Sequence, residues 1–147
     1  MPLPSFSRFK DVLPYDENRV KLTSLDKDNR TGYINASHLS ASVGPNDQRF
    51  YVAAQGPLPN TVLHFWQMVL QSDVHLVVML TDVSAVTKTS SCIPYWPGGK
   101  LGSTLELGEF KIVKKFLSDG SGGYQTSTLQ VSLSYFLRTK IIYIFRP

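Results

Sequence analysis

The chain has 147 residues and a mass of 16.5 kDa, with 42% hydrophobic and 18% charged residues and a mean hydropathy of -0.08. That length and balance fit one globular domain or part of one and exclude an intrinsically disordered chain. The net charge is +4 and the basic residues are scattered, with Lys114-Lys115 the only adjacent pair, which argues against nucleic-acid binding.

Residues 1–19 carry Pro2, Pro4 and Pro14 among aromatic and charged residues and predict irregular backbone. A short strand is predicted at Arg19–Leu22, with Val20 and Leu22 on one face. Leu25–Gly32 is charged and turn-like. Tyr33–Leu39 reads as a strand, with Ile34, Ala36 and His38 opposite Tyr33, Asn35 and Ser37. The turn composition of Gly44-Pro45-Asn46-Asp47 joins it to a second strand, Arg49–Ala54, as a hairpin.

Gly56-Pro57-Leu58-Pro59-Asn60 ends that strand, and Asn60 is the expected N-cap of a helix over Thr61–Ser72. Val62, Phe65, Trp66, Val69 and Leu70 recur at three- and four-residue spacing, the pattern of an amphipathic helix. Val74–Thr81 is a near-continuous aliphatic run and predicts a strand buried on both faces. Asp82–Ser91 is polar and loop-like. Alternation then predicts strands at Thr104–Leu107 and Glu109–Leu117, with Phe110, Ile112 and Phe116 inward. The turn Asp119-Gly120-Ser121-Gly122-Gly123 leads to a strand at Thr126–Ser134, with Leu129, Val131 and Leu133 inward. The expected class is α+β, richer in strand than in helix.

One cysteine, Cys92, excludes an internal disulfide and any zinc site that needs two or four cysteines. His38, His64 and His75 show no metal-ligand spacing. No metal and no cofactor is expected. The N-terminus lacks a secretory pattern, and the run Leu76–Leu80 is far too short to span a bilayer. A cytoplasmic, reducing setting is expected, with no membrane partner. Oligomeric state is not legible.

Four segments, in order, resemble the catalytic domain of the tyrosine-specific protein phosphatases. Arg8-Phe9-Lys10-Asp11-Val12-Leu13-Pro14-Tyr15-Asp16-Glu17-Asn18-Arg19-Val20 resembles the family's phosphotyrosine-recognition loop and the strand after it. Gly32-Tyr33-Ile34-Asn35-Ala36-Ser37 matches its Tyr-Ile-Asn-Ala strand. Gln55-Gly56-Pro57-Leu58-Pro59-Asn60-Thr61 and Phe65-Trp66-Gln67-Met68-Val69 match its Gln-Gly-Pro-Leu-Pro turn and Phe-Trp helix, and Tyr95-Trp96-Pro97 matches the close of its next long loop. The resemblance implies a non-receptor phosphatase domain with a mixed, twisted sheet and flanking helices. It covers residues 5–134, about the N-terminal half of such a domain. Residues 135–147 read as a divergent C-terminal tail.

The family's chemistry uses a Cys-x₅-Arg loop, whose thiolate attacks phosphorus, and an Asp on a Trp-Pro-Asp loop, which protonates the leaving phenol. Neither can be placed here. Six residues beyond Cys92 stands Gly98, so no Arg clamps the phosphate oxygens, and Pro94 and Pro97 remove N–H donors from any cradle. In Trp96-Pro97-Gly98 the glycine has no proton to give. No catalytic residue is therefore assigned.

What the resemblance does carry over is a substrate edge of Arg8, Phe9, Lys10 and Asp11. Phe9 takes the place of the aromatic that packs on the phosphotyrosine ring. Asp11 takes that of the acid that accepts peptide N–H groups. Arg8 and Lys10 would attract acidic flanks. The implied partner is a phosphotyrosyl protein or peptide, once the remaining elements are supplied. Tyr33, Asn35, Gln55, Gly56, Pro57, Trp66, Tyr95, Trp96 and Pro97 read as structural. Asn35, too polar for a core face, is expected to hydrogen-bond a neighbouring loop.

The segment Asp82–Cys92 departs from the family, with no Glu and with Ser91 before the cysteine where Lys is usual. Two rival expectations stand beside the phosphatase reading. One is a non-catalytic interaction module or truncated isoform that competes with the full enzyme. The other is an unstable product with unpaired apolar strands.

Overall fold

The computed structural model describes residues 6–23, 29, 31–81, 92–134 and 136–146. They fall into two compact units, Met1–Met68 and Val69–Pro147.

In the first unit three antiparallel strands pair in the order β1-β2-β3: β1 Arg19–Lys21, β2 Tyr33–Gly44 and β3 Asp47–Ala54. Val20 and Leu22 are both buried, as their shared face predicts. The hairpin runs in register from Ala36 opposite Ala54 to Ser42 opposite Gln48, and it turns at Pro45-Asn46. β2 is longer than predicted by five residues at its far end, to Gly44. From His38 onward that end is exposed on both faces, so it carries none of the polar–apolar contrast that marks a strand in sequence.

Helix α1 spans Val62–Gln71. Thr61, not Asn60, holds the N-cap position: its carbonyl accepts the Phe65 N–H at 2.9 Å. Its hydroxyl accepts the Leu58 N–H at 2.8 Å, and its own N–H reaches the Leu58 carbonyl at 2.9 Å. The Leu58–Thr61 turn uses up one more residue than composition alone suggests, which moves the cap along by one. After the helix, Asp73 adopts φ 53° and ends the coil.

The second unit holds a five-stranded sheet in the order β4-β8-β7-β6-β5, from β4 Leu76–Val78, β5 Thr104–Leu107, β6 Phe110–Asp119, β7 Gln125–Leu133 and β8 Phe136–Arg146. β8 runs parallel to β4 and antiparallel to β7. One face is apolar and buried, with Ile112 opposite Val131 and Leu129 opposite Ile142. The segment set apart as a tail thus supplies Ile142 and Ile144 to the core of this sheet.

Two expectations are corrected here. Val74–Thr81 is not a strand buried on both faces: only Leu76–Val78 is extended, and Leu80 is 87% exposed. β4 lies at the sheet's edge and pairs with β8 alone. An aliphatic run signals burial only when layers cover both its faces. Phe116 is not inward either, being 58% exposed. The β6–β7 register slips between Lys114 and Phe116, so one extra residue, Lys115, inverts the alternation beyond it. Lys114 takes the buried place opposite Leu129, and its Nζ donates to the Gly99 carbonyl at 3.2 Å.

Candidate functional site

The segment 7–15 has no helix or sheet ladder to shape it, so side chains from β2 and the β3 end must hold it. Gln55 and Asn35 do so. Gln55 Oε1 accepts the Arg8 N–H at 2.8 Å, and Gln55 Nε2 donates to the Phe6 carbonyl at 3.0 Å. Asn35 Nδ2 donates to the Val12 carbonyl at 2.8 Å and to Gln55 Oε1 at 3.2 Å. The two amides are fixed to each other by the Gln55 N–H bond to the Asn35 carbonyl, 3.1 Å, which extends the hairpin ladder. Asn35 therefore does bond a neighbouring loop, and that loop is the one that carries Phe9–Asp11.

Arg8 adds a third anchor. Its Nη2 donates to the Gly56 carbonyl at 3.2 Å and the Pro57 carbonyl at 3.3 Å. The guanidinium expected at the substrate edge is turned onto the Gln-Gly-Pro turn instead. Between these anchors Phe9, Lys10 and Asp11 remain exposed, with Phe9 at 52%.

Tyr33 is buried, and its hydroxyl shares a 2.9 Å hydrogen bond with Ser7 Oγ, so it braces the loop's start. Tyr33 is itself held by Asn29, which sequence reasoning passed over inside a charged turn. Asn29 Nδ2 donates to the Tyr33 carbonyl at 2.7 Å, and Asn29 Oδ1 accepts the Tyr33 N–H at 2.9 Å. No periodicity marks such a residue; only its setting before Gly32, at φ 61°, hints at a closed turn. Trp66 is fully buried and meets Phe65 edge to face at 5.8 Å, as core.

In the second unit Tyr95, Trp96 and Pro97 are buried, and the Tyr95 and Trp96 rings meet edge to face at 4.7 Å. Burial pushes the Tyr95 phenol far above its ordinary value of 10.0, and the nearby Cys92 adds to the rise. Arg146 of β8 stacks its guanidinium over Trp96, 5.7 Å from the ring centroid. Cys92 is buried, and its Sγ donates to the Ile93 carbonyl at 3.3 Å. The altered loop, up to Ser91, lies outside the described residues.

Among the described residues no group of three His, Cys, Asp or Glu is placed to hold a metal. No helix among them is long and apolar enough to cross a membrane. A protein-tyrosine phosphatase family model matches residues 4–143, which reaches into the segment that sequence reading set apart as a tail. The chain is 46% identical over 128 residues to the mouse tyrosine-protein phosphatase non-receptor type 14, covering 85% of the chain and 10% of that protein. It is 45% identical over 128 residues to the rat non-receptor type 21 enzyme, again 85% of the chain and 10% of the relative. With the rat non-receptor type 2 enzyme it shares 41% over 121 residues, 82% of the chain and 26% of the relative. The chain thus spans between a tenth and about a quarter of the lengths of these relatives.

Proposed function

Because the chain belongs to the protein-tyrosine phosphatase family, we propose that residues 8–11 form the edge at which a phosphotyrosyl side chain is recognised. We further propose that the 147-residue chain by itself binds such a side chain without hydrolysing it. The observation that carries the first part is the amide network of Gln55 and Asn35. It fixes both ends of segment 6–12 and leaves Phe9 exposed between them.

In this reading the Phe9 ring stacks on the phenyl ring of the ligand, a contact worth about 0.5–1.5 kcal/mol. The Asp11 carboxylate accepts N–H groups of the peptide backbone. Lys10 draws acidic residues beside the phosphotyrosine. Arg8 contributes through position, by holding the Gly56-Pro57 turn under the loop.

The second part rests on residue chemistry. Attack on phosphorus needs a thiolate beside a phosphate clamp. Cys92 is the one cysteine, it is buried, and Gly98 stands where the clamping Arg would be. The reducing cytoplasm is the proposed setting, supported by a sequence with a single cysteine and by relatives named non-receptor.

One titration tests both parts. A phosphotyrosyl peptide, its unphosphorylated form and its phosphoseryl analogue are titrated into the chain, and phosphate release is followed in parallel. The reading expects binding of the first alone, weakened several-fold by Phe9→Ala, with no phosphate released. Equal binding of all three peptides would sink the recognition edge. Vanadate-sensitive phosphate release would sink the second part.

A further inference from the structure

We propose that Tyr15 is a phosphoacceptor site for a protein-tyrosine kinase that uses ATP. Six of the seven tyrosines are described, and four of these are exposed: Tyr15 at 75%, and Tyr51, Tyr124 and Tyr143 at 42–55%. A kinase must draw a short extended segment into its cleft, so a tyrosine already paired in a sheet must first leave it. Tyr51 sits in β3 opposite Leu39, and Tyr143 sits in β8 between β4 and β7. Tyr124 lies stacked on Phe145 at 5.2 Å, over Gly120, whose N–H bonds the Tyr124 carbonyl.

Tyr15 differs on each count. It stands on irregular backbone between the recognition segment and β1, and its ring is the most exposed of the tyrosines described. Its backbone carbonyl receives the N–H groups of Asn18 at 3.2 Å and Arg19 at 2.9 Å. That turn lies on the C-terminal side and leaves the phenol untouched. The following residues, Asp16 and Glu17, are exposed or nearly so and acidic, the charge that a basic substrate cleft attracts. Tyr33, by contrast, is buried and its hydroxyl is bonded to Ser7.

In the reaction the phenol oxygen bonds to the terminal phosphorus of ATP, the bond to the bridging oxygen breaks, ADP leaves, and the phenol proton passes to the kinase's base. The product adds about −1.5 to −2 charge to a stretch that already holds Asp11, Asp16 and Glu17. The site stands on its own, whatever the recognition loop binds.

The test incubates the whole chain with a purified tyrosine kinase and ATP and maps phosphate by peptide mass spectrometry over time. The expected result is a rate at Tyr15 about tenfold or more above that at Tyr51, Tyr124 or Tyr143, because those need local opening first. Tyr15→Phe should remove that early phosphate, and Asp16→Asn with Glu17→Gln should slow it. An equal or faster rate at a strand tyrosine overturns the proposal. So does the absence of phosphate at Tyr15 while a peptide of residues 9–21 is phosphorylated by the same kinase.

Discussion

Asn29 supplies one donor and one acceptor to a single residue, Tyr33, and so replaces two ladder bonds at the point where β2 begins. Both bonds are buried, and truncation would leave the Tyr33 N–H and carbonyl without partners. Unmade buried bonds cost about 1–3 kcal/mol each group. Asn29→Ala should therefore lower stability by several kcal/mol, and Asn29→Asp, which keeps the acceptor but loses the donor, by less; urea denaturation reads both. Tyr95 gives a pH-dependent test at the same scale. Its folded pKa lies above its unfolded value of 10.0, so the stabilising effect is complete below that pH. Above it the unfolded chain sheds a proton that the folded chain keeps, and stability falls by about 1.4 kcal/mol per pH unit. Tyr95→Phe should flatten that alkaline limb in denaturant midpoints taken across pH 9 to about 12.

At the scale of the element, the bulge at Lys115 decides which half of β6 faces the core. Up to Lys114 the even positions are buried; beyond it Phe116 faces out. Deleting Lys115 would restore strict alternation and leave Phe116 opposite Thr128 on the open face and Leu117 opposite Ser127 on the buried one. The expected outcome is a thermal melting midpoint close to that of the intact chain, since no buried side chain changes face. Phe116→Ser in the intact strand should cost within about 0.5 kcal/mol, as an exposed position does. No residue type announces this bulge: Lys114-Lys115 reads as two solvated charges. The helix is the opposite case. Its apolar spacing located it to within a residue at each end, and only the cap moved, because the Leu58–Thr61 turn is a matter of hydrogen bonds and not of composition.

For the molecule as a whole, each unit is built around one sheet, and in the second the last strand in sequence, β8, lies between β4 and β7. β8 joins β4 to β7, and its Lys140 Nζ reaches Asp73 Oδ1 at 2.6 Å, which ties it to the turn after α1. Gln125 and Arg146 are hydrogen-bonded at the far end of the β7–β8 pair. Ile142→Ala should cost about 2–5 kcal/mol, since it empties a fully buried place. Ile141→Ala, one residue away on the open face, should cost a small fraction of that. Equilibrium unfolding of the two variants separates β8 as a core strand from β8 as an appendage, for which both costs would be small.

The sequence by itself determined the family, through motifs whose spacing is fixed by covalent order: Arg8–Val20, Gly32–Ser37, Gln55–Val69 and Tyr95–Pro97. It also determined the hairpins, the helix and most inward faces, because turn chemistry and periodicity are local. The tertiary structure decided what those motif residues do. That Arg8 serves a turn, that Asn35 and Gln55 hold the segment bearing Phe9, and that Asn29 anchors Tyr33 depend on partners four to about fifty residues away. It also decided that of Val74–Thr81 only Leu76–Val78 is a strand, at the edge of its sheet, and that residues 136–146 form an inner strand. Burial belongs to a strand's neighbours in the sheet, and those neighbours are set by pairing over long separations, which no local pattern encodes.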